Sequence, residues 1–540
     1  MRKLSPALAI LAVALAGAVF AAPRQQRWPT IDQQLKASRV QPGTALEELI
    51  LSNQDFQMLR AEEAHDSIQV PLWLRVWWRK AHPEGDYPAA DPTGGYPRAL
   101  REVAEWMTLH QDLVPDQADD ARAPGDEKTT VGPNVRISPQ SGGGPDIRLD
   151  FWDTSKILAA DNNIGGSGQQ SQYYSSSGGA SWGQSFLPLQ TGDAFHSNPA
   201  VDWTSDGTAW STTLGINSTG TTLKLRAYKS TNGGATWTFD NTASGAQTNT
   251  DMEMIWADHS ATSPFKDYLY ACWHNGNPAY VNRRTGPTGS WGTPIKVSGT
   301  ETTGTSIGCD VKTNSAGDAF VFWPDTGSRR IVMAKSTDGG TSWGTRVVVA
   351  ATKDSFDIGI PSNNSRRALI YTSAAAYRTS TLSNVYVTWT DLTGDTGCTS
   401  AANEPGSNAA STCKTRIWLA RSTDGGTTWS APVMINNQAS LNDQFNPWLG
   451  VDETTGRLAV IYYDSVGDPT RQTTNVWYQT STDNGVTWST ATRINTVTNA
   501  FGTHYGDHNG LSIDAGKAFP IWIGGGGTQV GLWTVRVTEP

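Results

Sequence analysis

The chain has 540 residues, which is too long for one compact core and suits a large domain with a smaller part beside it. Charged residues make up only 17%, whereas glycine (54) and tryptophan (23) are abundant, a composition typical of a β-rich chain with many turns. Lysine and arginine total 41 against 50 aspartates and glutamates, so the net charge is -9. Because phosphate binding needs clustered positive charge, nucleic acid is not expected as a partner.

Residues 1–22 have the pattern of a secretory signal peptide. Arg2 and Lys3 precede an apolar stretch that ends in small residues at Ala21 and Ala22. This stretch is too short to span a bilayer, and no later segment is long and apolar enough to do so. We therefore expect a secreted or periplasmic protein without a membrane span, in a compartment where disulfides are permitted.

Residues 23–113 differ in pattern from the rest of the chain. Apolar residues recur at helical spacing in segment 45–64 and again at Leu100, Val103 and Met107, which predicts a small α-helical region. The aromatic and basic segment 71–80 between them either packs in that helical core or touches a membrane or glycan. Residues 114–133 are acidic, contain proline and glycine and lack an apolar period, which predicts a linker.

One turn motif recurs from there to the carboxyl terminus. Its copies are SSSGGASW (175–182), STNGGATW (230–237), STDGGTSW (336–343), STDGGTTW (422–429), STDNGVTW (481–488) and the degenerate RTGPTGSW (284–291). The serine and aspartate side chains can accept backbone N–H groups within a turn, and glycine allows a positive φ. Each copy lies between two short alternating runs, so each predicts a β-hairpin, and the regular spacing predicts a repeat architecture.

These segments resemble the Asp-box, or BNR repeat, of secreted bacterial sialidase-like β-propellers. Seven units of strand pattern can be assigned after residue 134, although that family has six blades. The predicted first strands begin at residues 146, 198, 251, 308, 376, 445 and 508, and the second strands at 156, 208, 268, 319, 384, 458 and 517. The hairpins themselves are expected to be structural.

The last unit supplies only three strands. NVRISP (134–139) matches the pattern of the outer strands TRIN and IKVS, so we expect this segment to complete the seventh sheet and to leave no long edge unpaired. The prediction is an all-β, seven-bladed propeller over residues 134–540, with six blades as the fallback. The small helical region precedes it.

Candidate chemistry is expected where loops enter the first strands and leave the second strands, because those loops share one face of a propeller. The polar residues at these positions are Asp146, Arg148, Asp161, His196, Asn198, Asp251, Glu253, His274, Asp310, Asp325, Asp391, Asn446, Asp464, Arg471, Tyr505, Asp507 and His508. Clustered carboxylates can raise a pKa for acid catalysis. They can equally hold calcium, with Asp251, Asp310 and Asp325 as candidates, or simply bond backbone N–H groups.

The resemblance implies an exo-glycosidase that removes sialic acid with retention, without a required cofactor. Such families use an aspartate as acid/base and a Tyr–Glu pair as nucleophile. In this sequence Asp161 takes the acid/base position. His508 occupies the register of the nucleophile, with Tyr505 three residues earlier and Glu253 as its partner.

The resemblance also implies an arginine cluster that clamps the substrate carboxylate. Arg148 matches the first of these arginines without the following proline, and Arg378 and Arg471 are the nearest matches for the others. The complete predicted substrate-binding set is Arg148, Arg378, Arg471, Asp507, His196 and Asn446.

Three functions remain open at this point, each with a glycan or polysaccharide partner and a monomeric protein. The first is a sialidase-like glycoside hydrolase that acts on terminal sugars. The second is a non-catalytic module that binds glycans or cell surfaces. The third is a polysaccharide lyase, in which His196, His274 or His508 and a tyrosine abstract a proton beside a uronate carboxylate.

The four cysteines allow three pairings. Cys398 and Cys413 flank an insertion, which a disulfide between them would hold in place. Cys272 and Cys309 lie on predicted strands of neighbouring units and either pair or remain buried thiols. A zinc site built from all four is not expected because no CxxC spacing occurs.

Overall fold

The computed structural model describes residues 129–139, 143–164, 168–298, 306–364, 367–500, 505–525 and 530–540. The predicted signal peptide, the helical region and most of the linker lie outside these residues. The described part is almost entirely β-structure, with 3-10 turns at Pro361–Asn363 and Ala401–Asn403. It contains no helix of the length and apolar character that crossing a bilayer requires.

The repeated turn motif forms the hairpin between the third and fourth strands of a sheet. In the copy at 422–429, Ser422 Oγ accepts the N–H of Gly426 at 2.9 Å and donates to Asp424 at 2.7 Å. The Asp424 carboxylate accepts the hydroxyl of Thr428 at 2.6 Å and its N–H at 2.9 Å. These two hydrogen bonds lower the pKa of Asp424 to about 2. Gly426 has a φ of 87°, which a residue with a side chain rarely adopts.

Seven antiparallel sheets form the blades of a propeller, as predicted, so the six-blade fallback is not needed. Blades 1 to 3 comprise, in chain order, Asp146–Leu149, Ile157–Ile164, Gln170–Ser175 and Gly183–Phe186; Phe195–Trp203, Ala209–Ile216, Leu223–Ser230 and Thr238–Thr242; and Thr250–Ala257, Leu269–Asn275, Ala279–Arg284 and Ile295–Lys296. Blades 4 to 6 comprise Asp310–Thr313, Ala319–Asp325, Arg330–Ser336 and Val347–Ala351; Ser373–Arg378, Ser383–Leu392, Thr415–Ser422 and Val433–Met434; and Gln444–Val451, Leu458–Asp464, Asn475–Ser481 and Thr492–Arg493.

Blade 7 joins the two ends of the described chain. Its first three strands are Gly510–Asp514, Lys517–Gly524 and Gly531–Thr534, and its fourth strand is Val135–Ser138. Val135 pairs with Thr534 and Arg136 with Trp533 in antiparallel register. A further strand, Val537–Thr538, pairs with both Lys517–Gly524 and Thr130–Val131, so paired structure begins four residues before Asn134.

The first strands of the seven blades surround a central channel, and each contacts the first strands of both neighbouring blades. At five junctions, a polar side chain of one first strand accepts a backbone N–H from the next. These pairs are Asp146 with Val201 (2.9 Å), Asp202 with Ala257 (2.7 Å), Asp310 with Ala374 (2.7 Å), Ser373 with Leu449 (2.9 Å) and Ser512 with Leu149 (3.0 Å). The hydrophobic core fills the spaces between blades, where large side chains such as Trp203, Trp323 and Trp522 are fully buried.

Blade 5 departs from the sequence prediction. Its first strand is Ser373–Arg378, so it begins three residues before the predicted start at Ala376. A small two-stranded sheet, Asp357–Ile358 with Ala368–Leu369, precedes it.

Two disulfides form, Cys272 with Cys309 and Cys398 with Cys413. The first joins blade 3 to the entry of blade 4, and the second closes the insertion in blade 5. Disulfides persist in oxidising compartments, which is consistent with an extracellular location.

Candidate functional site

A pocket of about 10 Å³, here called the upper pocket, lies where the first strands enter the channel, on the side away from the Asp-box hairpins. Its lining residues are Gly144, Asn198, Pro199, Met252, Glu253, Tyr371, Asp507 and His508. Gly144, His508 and Tyr371 each stand two residues before the first strand of their blade, in blades 1, 7 and 5. Asn198, Met252 and Glu253 belong to the first strands of blades 2 and 3.

Glu253 is the acidic residue in the wall of this pocket whose carboxyl group is left without any hydrogen bond. Its side chain is only 2% exposed, and neither carboxyl oxygen has a hydrogen-bond partner. Burial, reinforced by the charge of neighbouring Asp251, raises the pKa of Glu253 well above 4.5. A buried carboxyl group of this kind remains protonated at pH values where a free glutamate is ionised, so it can donate a proton.

A polar network lies along one edge of the pocket, next to the strand that carries Glu253. Asn162 Nδ2 donates to Asn198 Oδ1 at 2.9 Å, and Asn198 Nδ2 donates to Asp251 Oδ1 at 2.6 Å. Asn198 and Met252 have φ values of 48° and 51°, each at a bulge in its strand. Non-glycine residues in this conformation are uncommon and gather at functional sites.

Aromatic rings form the other wall of the pocket. The His508 ring lies 5.2 Å from the ring of Tyr371 and 4.9 Å from that of Trp448, measured between centroids. His508 Nδ1 lies 2.9 Å from the carbonyl oxygen of Asn509, which can only accept, so Nδ1 carries a proton. In the neutral ring, Nε2 is therefore the nitrogen that can accept a proton.

Tyr371 is held by the backbone of the neighbouring blade. Its hydroxyl donates to the carbonyl oxygen of Cys309 at 3.3 Å, and burial raises its pKa well above 10. Gly308 has a φ of 66°, and a Cβ atom there would lie 2.6 Å from the tyrosine ring. Only glycine at residue 308 therefore allows this close approach.

Two of the predicted catalytic residues, Glu253 and His508, meet in the upper pocket, and the other two do not line it. Tyr505 is fully buried and its ring packs on Phe445 and Tyr463, at centroid distances of 5.0 and 4.8 Å. Asp161 is fully buried in the second strand of blade 1. The tyrosine beside Glu253 is thus Tyr371, which the sequence analysis missed.

The three predicted arginines lie in three different places. Arg471 is fully buried, and its guanidinium binds Asp443 through two hydrogen bonds of 2.7 and 2.5 Å. Arg378 ends the first strand of blade 5 on the Asp-box side, where it is 3.2 Å from Asp318. Arg148 lines a second pocket, here called the lower pocket, at the Asp-box end of the channel. Among the described residues, no arginine lines the upper pocket.

Of the remaining predicted substrate-binding residues, Asp507 lines the upper pocket and two are engaged elsewhere. His196 is fully buried, accepts the N–H of Gln170 at 3.3 Å and lies 3.3 Å from the hydroxyl of Tyr228. Burial lowers its pKa to about 3, so it is neutral. Asn446 donates to the carbonyl oxygen of Gly506 at 3.2 Å and supports the loop before His508.

The three candidate metal ligands each bind other groups of the protein. Asp310 binds the Ala374 N–H and Lys312, whereas Asp325 accepts from Ser328 at 2.7 Å and Arg346 at 3.0 Å. Asp251 accepts from Asn198, as described above. In the part of the chain that the structure describes, no three His, Cys, Asp or Glu side chains are grouped as metal ligands.

Comparison with known proteins places this geometry in context. Residues 402–518 match the family model described as a BNR repeat-like domain. No curated protein sequence matches the chain significantly.

Solved structures match the chain at low identity. The GH93 α-L-arabinofuranosidase of Fusarium graminearum is 13% identical, with 65% of this chain and 95% of that chain covered and a TM-score of 0.41. The NanB sialidase of Streptococcus pneumoniae is 11% identical, with 69% and 73% covered and a TM-score of 0.40. A polysaccharide lyase described as a PL25 ulvan lyase is 12% identical, with 63% and 83% covered and a TM-score of 0.36. At these values no residue's role can be transferred.

The six turn motifs, the hairpin geometry observed for them and the family-model match agree with one another. The described chain is a seven-bladed β-propeller, and its residues 402–518 are similar to the BNR repeat-like domain.

Proposed function

We propose that this protein is a carbohydrate-active enzyme that cleaves glycosidic bonds in the upper pocket, with Glu253 as the general acid. The observation that carries the proposal is the Glu253 carboxyl group, which is buried at the channel mouth with no hydrogen bond to either oxygen. Leaving such a group unsatisfied costs stability, and perturbed carboxyl groups in clefts are typical of catalytic sites.

The neighbouring groups fit the hydrolysis of a glycosidic bond. Protonated Glu253 can donate to the glycosidic oxygen as the bond breaks, and Asp507 supplies a second carboxyl group in the same pocket. Tyr371 and His508 present aromatic surface on which a sugar ring can pack. The sialidase form of this activity would need arginines at the pocket, and Arg148, Arg378 and Arg471 do not reach it, so we do not assign sialic acid as the substrate.

The test is turnover of a panel of aryl glycosides and polysaccharides by the wild type and by Glu253→Gln. General acid catalysis contributes about 10²- to 10⁴-fold, so we expect the variant to lose that much in kcat. Asp310→Asn is the matched control, because it is also a buried acid-to-amide change but lies outside the upper pocket. Equal turnover by wild type and Glu253→Gln would refute the assignment, and glycan binding without turnover by the wild type would favour the non-catalytic alternative.

A lyase is the second candidate, favoured by His508 and Tyr371 in the same pocket. His508 Nε2 can accept the proton beside a uronate carboxylate, and a tyrosine is the usual kind of partner for the leaving oxygen. An unsaturated product that absorbs in the ultraviolet, lost in His508→Ala and retained in Asp310→Asn, would identify this reaction instead of hydrolysis.

A further inference from the structure

The lower pocket has a chemical character different from that of the upper pocket. It has a volume of about 20 Å³ and is lined by Phe151 and Val451, which lie at the ends of the first strands of blades 1 and 6. Its charged lining residues are Arg148 and Lys312, and no acidic residue of the described chain lines it. Much of the remaining wall is small or aliphatic, including Ala375 of blade 5.

Arg148 is buried there without the hydrogen bonds that a guanidinium group requires. It is 3% exposed, and the nearest carboxylate oxygens, on Asp146 and Asp202, are 3.6 and 3.8 Å away. These separations exceed a hydrogen bond. Within the described residues, no hydrogen bond is donated by the guanidinium, and its Nε is buried without a partner. The two carboxylates compensate the charge of Arg148 as ion pairs, but its N–H donors lack hydrogen-bond acceptors, which a bound ligand would supply.

The nearby carboxylates do not line the pocket, and they hydrogen-bond to other groups. Asp146 accepts the N–H of Val201 at 2.9 Å, and Asp202 accepts the N–H of Ala257 at 2.7 Å. Asp202 also lies 2.8 Å from His259 Nε2. These residues therefore stabilise the junctions between blades and leave the donors of Arg148 open.

Lys312 lies on the same wall, where its ammonium group is paired with Asp310. It occupies the position in blade 4 that Arg148 occupies in blade 1, the third residue of the first strand. Its ammonium group lies 4.6 Å from the centroid of the Trp256 ring, and the Arg148 guanidinium lies 4.9 Å from it. The ring holds both cations at the pocket by cation–π attraction.

We propose that the lower pocket binds an oxyanion, a carboxylate or sulfate group, which accepts hydrogen bonds from the Arg148 guanidinium while Lys312 adds attraction. The planar fork of an arginine matches two oxygens of such a group. The pocket is far smaller than a usual small-molecule site, which limits the enclosed part of the ligand to the oxyanion group itself. This inference does not depend on the proposed activity of the upper pocket.

The experiment is calorimetric titration of the full chain with sodium acetate, sodium glucuronate and sodium sulfate, against sodium chloride at matched ionic strength. We expect at least one oxyanion to bind, and Arg148→Met to weaken it by about tenfold or more, because charge-assisted hydrogen bonds are lost. Tighter binding of glucuronate than of acetate would identify an acidic sugar as the source. Equal binding, or binding of sulfate alone, would identify a free anion.

Two further variants keep the test sharp. Arg378→Met removes an arginine on the same face of the propeller but outside the pocket, and it should leave binding unchanged. Ala375→Leu narrows the pocket without removing charge, so it should weaken binding even if Arg148→Met does not fold. The proposal is overturned if no oxyanion binds beyond the chloride control. It is also overturned if the Arg148 and Ala375 variants bind as tightly as Arg378→Met, because water then fills the pocket.

Discussion

Glu253 makes a prediction about stability that needs no knowledge of the substrate. Burial raises the pKa of Glu253 in the native state well above its ordinary value of 4.5. At pH values between 4.5 and the native pKa, the native state therefore holds a proton that the unfolded state has lost. The free energy of unfolding therefore falls as pH rises, by about 1.4 kcal/mol per pH unit for one proton. Glu253→Gln has nearly the same shape and cannot ionise, so it should not share this loss.

The measurement is urea unfolding of the wild type and Glu253→Gln, followed by tryptophan fluorescence from pH 4 to pH 8. The two proteins should be closest in stability near pH 4. The variant should then gain about 1.4 kcal/mol over the wild type for each pH unit, until the native pKa is reached. Other buried carboxyl groups affect both proteins equally, so the difference isolates Glu253.

Asp424→Asn is the matched control because its pKa is shifted in the opposite direction. The carboxylate of Asp424 has a pKa of about 2, below its ordinary 3.8, so its contribution is present above pH 3.8 and is lost only as pH falls toward 2. Its difference from the wild type should be constant from pH 5 to pH 8. If the difference for Glu253→Gln is equally constant, Glu253 is ionised in the native state and the general-acid assignment fails.

Three further predictions concern the scaffold. Replacing Cys272 and Cys309 by alanine should lower the free energy of unfolding by about 4 kcal/mol in the chain-entropy model, because their 37-residue separation defines a long loop; calorimetry of the double variant checks this. Asp310→Ala should lower the free energy of unfolding by about 3–5 kcal/mol, because Lys312 is left buried and unpaired. The double variant Asp310→Ala with Lys312→Met should recover part of this free energy, as measured by urea unfolding. Ile137→Asp, which buries a charge in the closing strand, should lower the thermal midpoint and promote aggregation in light scattering, and an unchanged midpoint would show that this strand does not close the ring.

The fold could be predicted from sequence because its signals are local and repeated. The turn motif fixes each hairpin, and the alternating runs on both sides fix the strands. Val135–Ser138, which pairs with Gly531–Thr534, lies in a segment whose apolar pattern matches the outer strands of other blades. The turn and the strands of each repeat are stabilised by hydrogen bonds and burial within that repeat, so every copy of the motif predicts the same hairpin.

The site was less predictable because it depends on small shifts of register. The sequence placed the first strand of blade 5 at Ala376, whereas it begins at Ser373. The predicted start placed Tyr371 five residues before the strand, and it was not among the predicted site residues; in the structure it stands two residues before the strand, as His508 does in blade 7. One signal was readable: the Asn198–Pro199 pair sits at a bulge, and asparagine tolerates a positive φ better than most residues.

The contrast between satisfied and unsatisfied polar groups separates scaffold from function in this channel. Asp146 and Asp310 were predicted as candidate site residues together with Glu253, and Asp202 also stands on a first strand. In the structure, each of these aspartates accepts a backbone N–H from the next blade, so its burial is compensated within the fold. Glu253 has no such hydrogen bond, and neither does the guanidinium of Arg148 at the other end of the channel. Arg148 differs from Glu253 in one respect, because ion pairs with Asp146 and Asp202 compensate its charge, whereas the carboxyl group of Glu253 has no compensating group in the described fold.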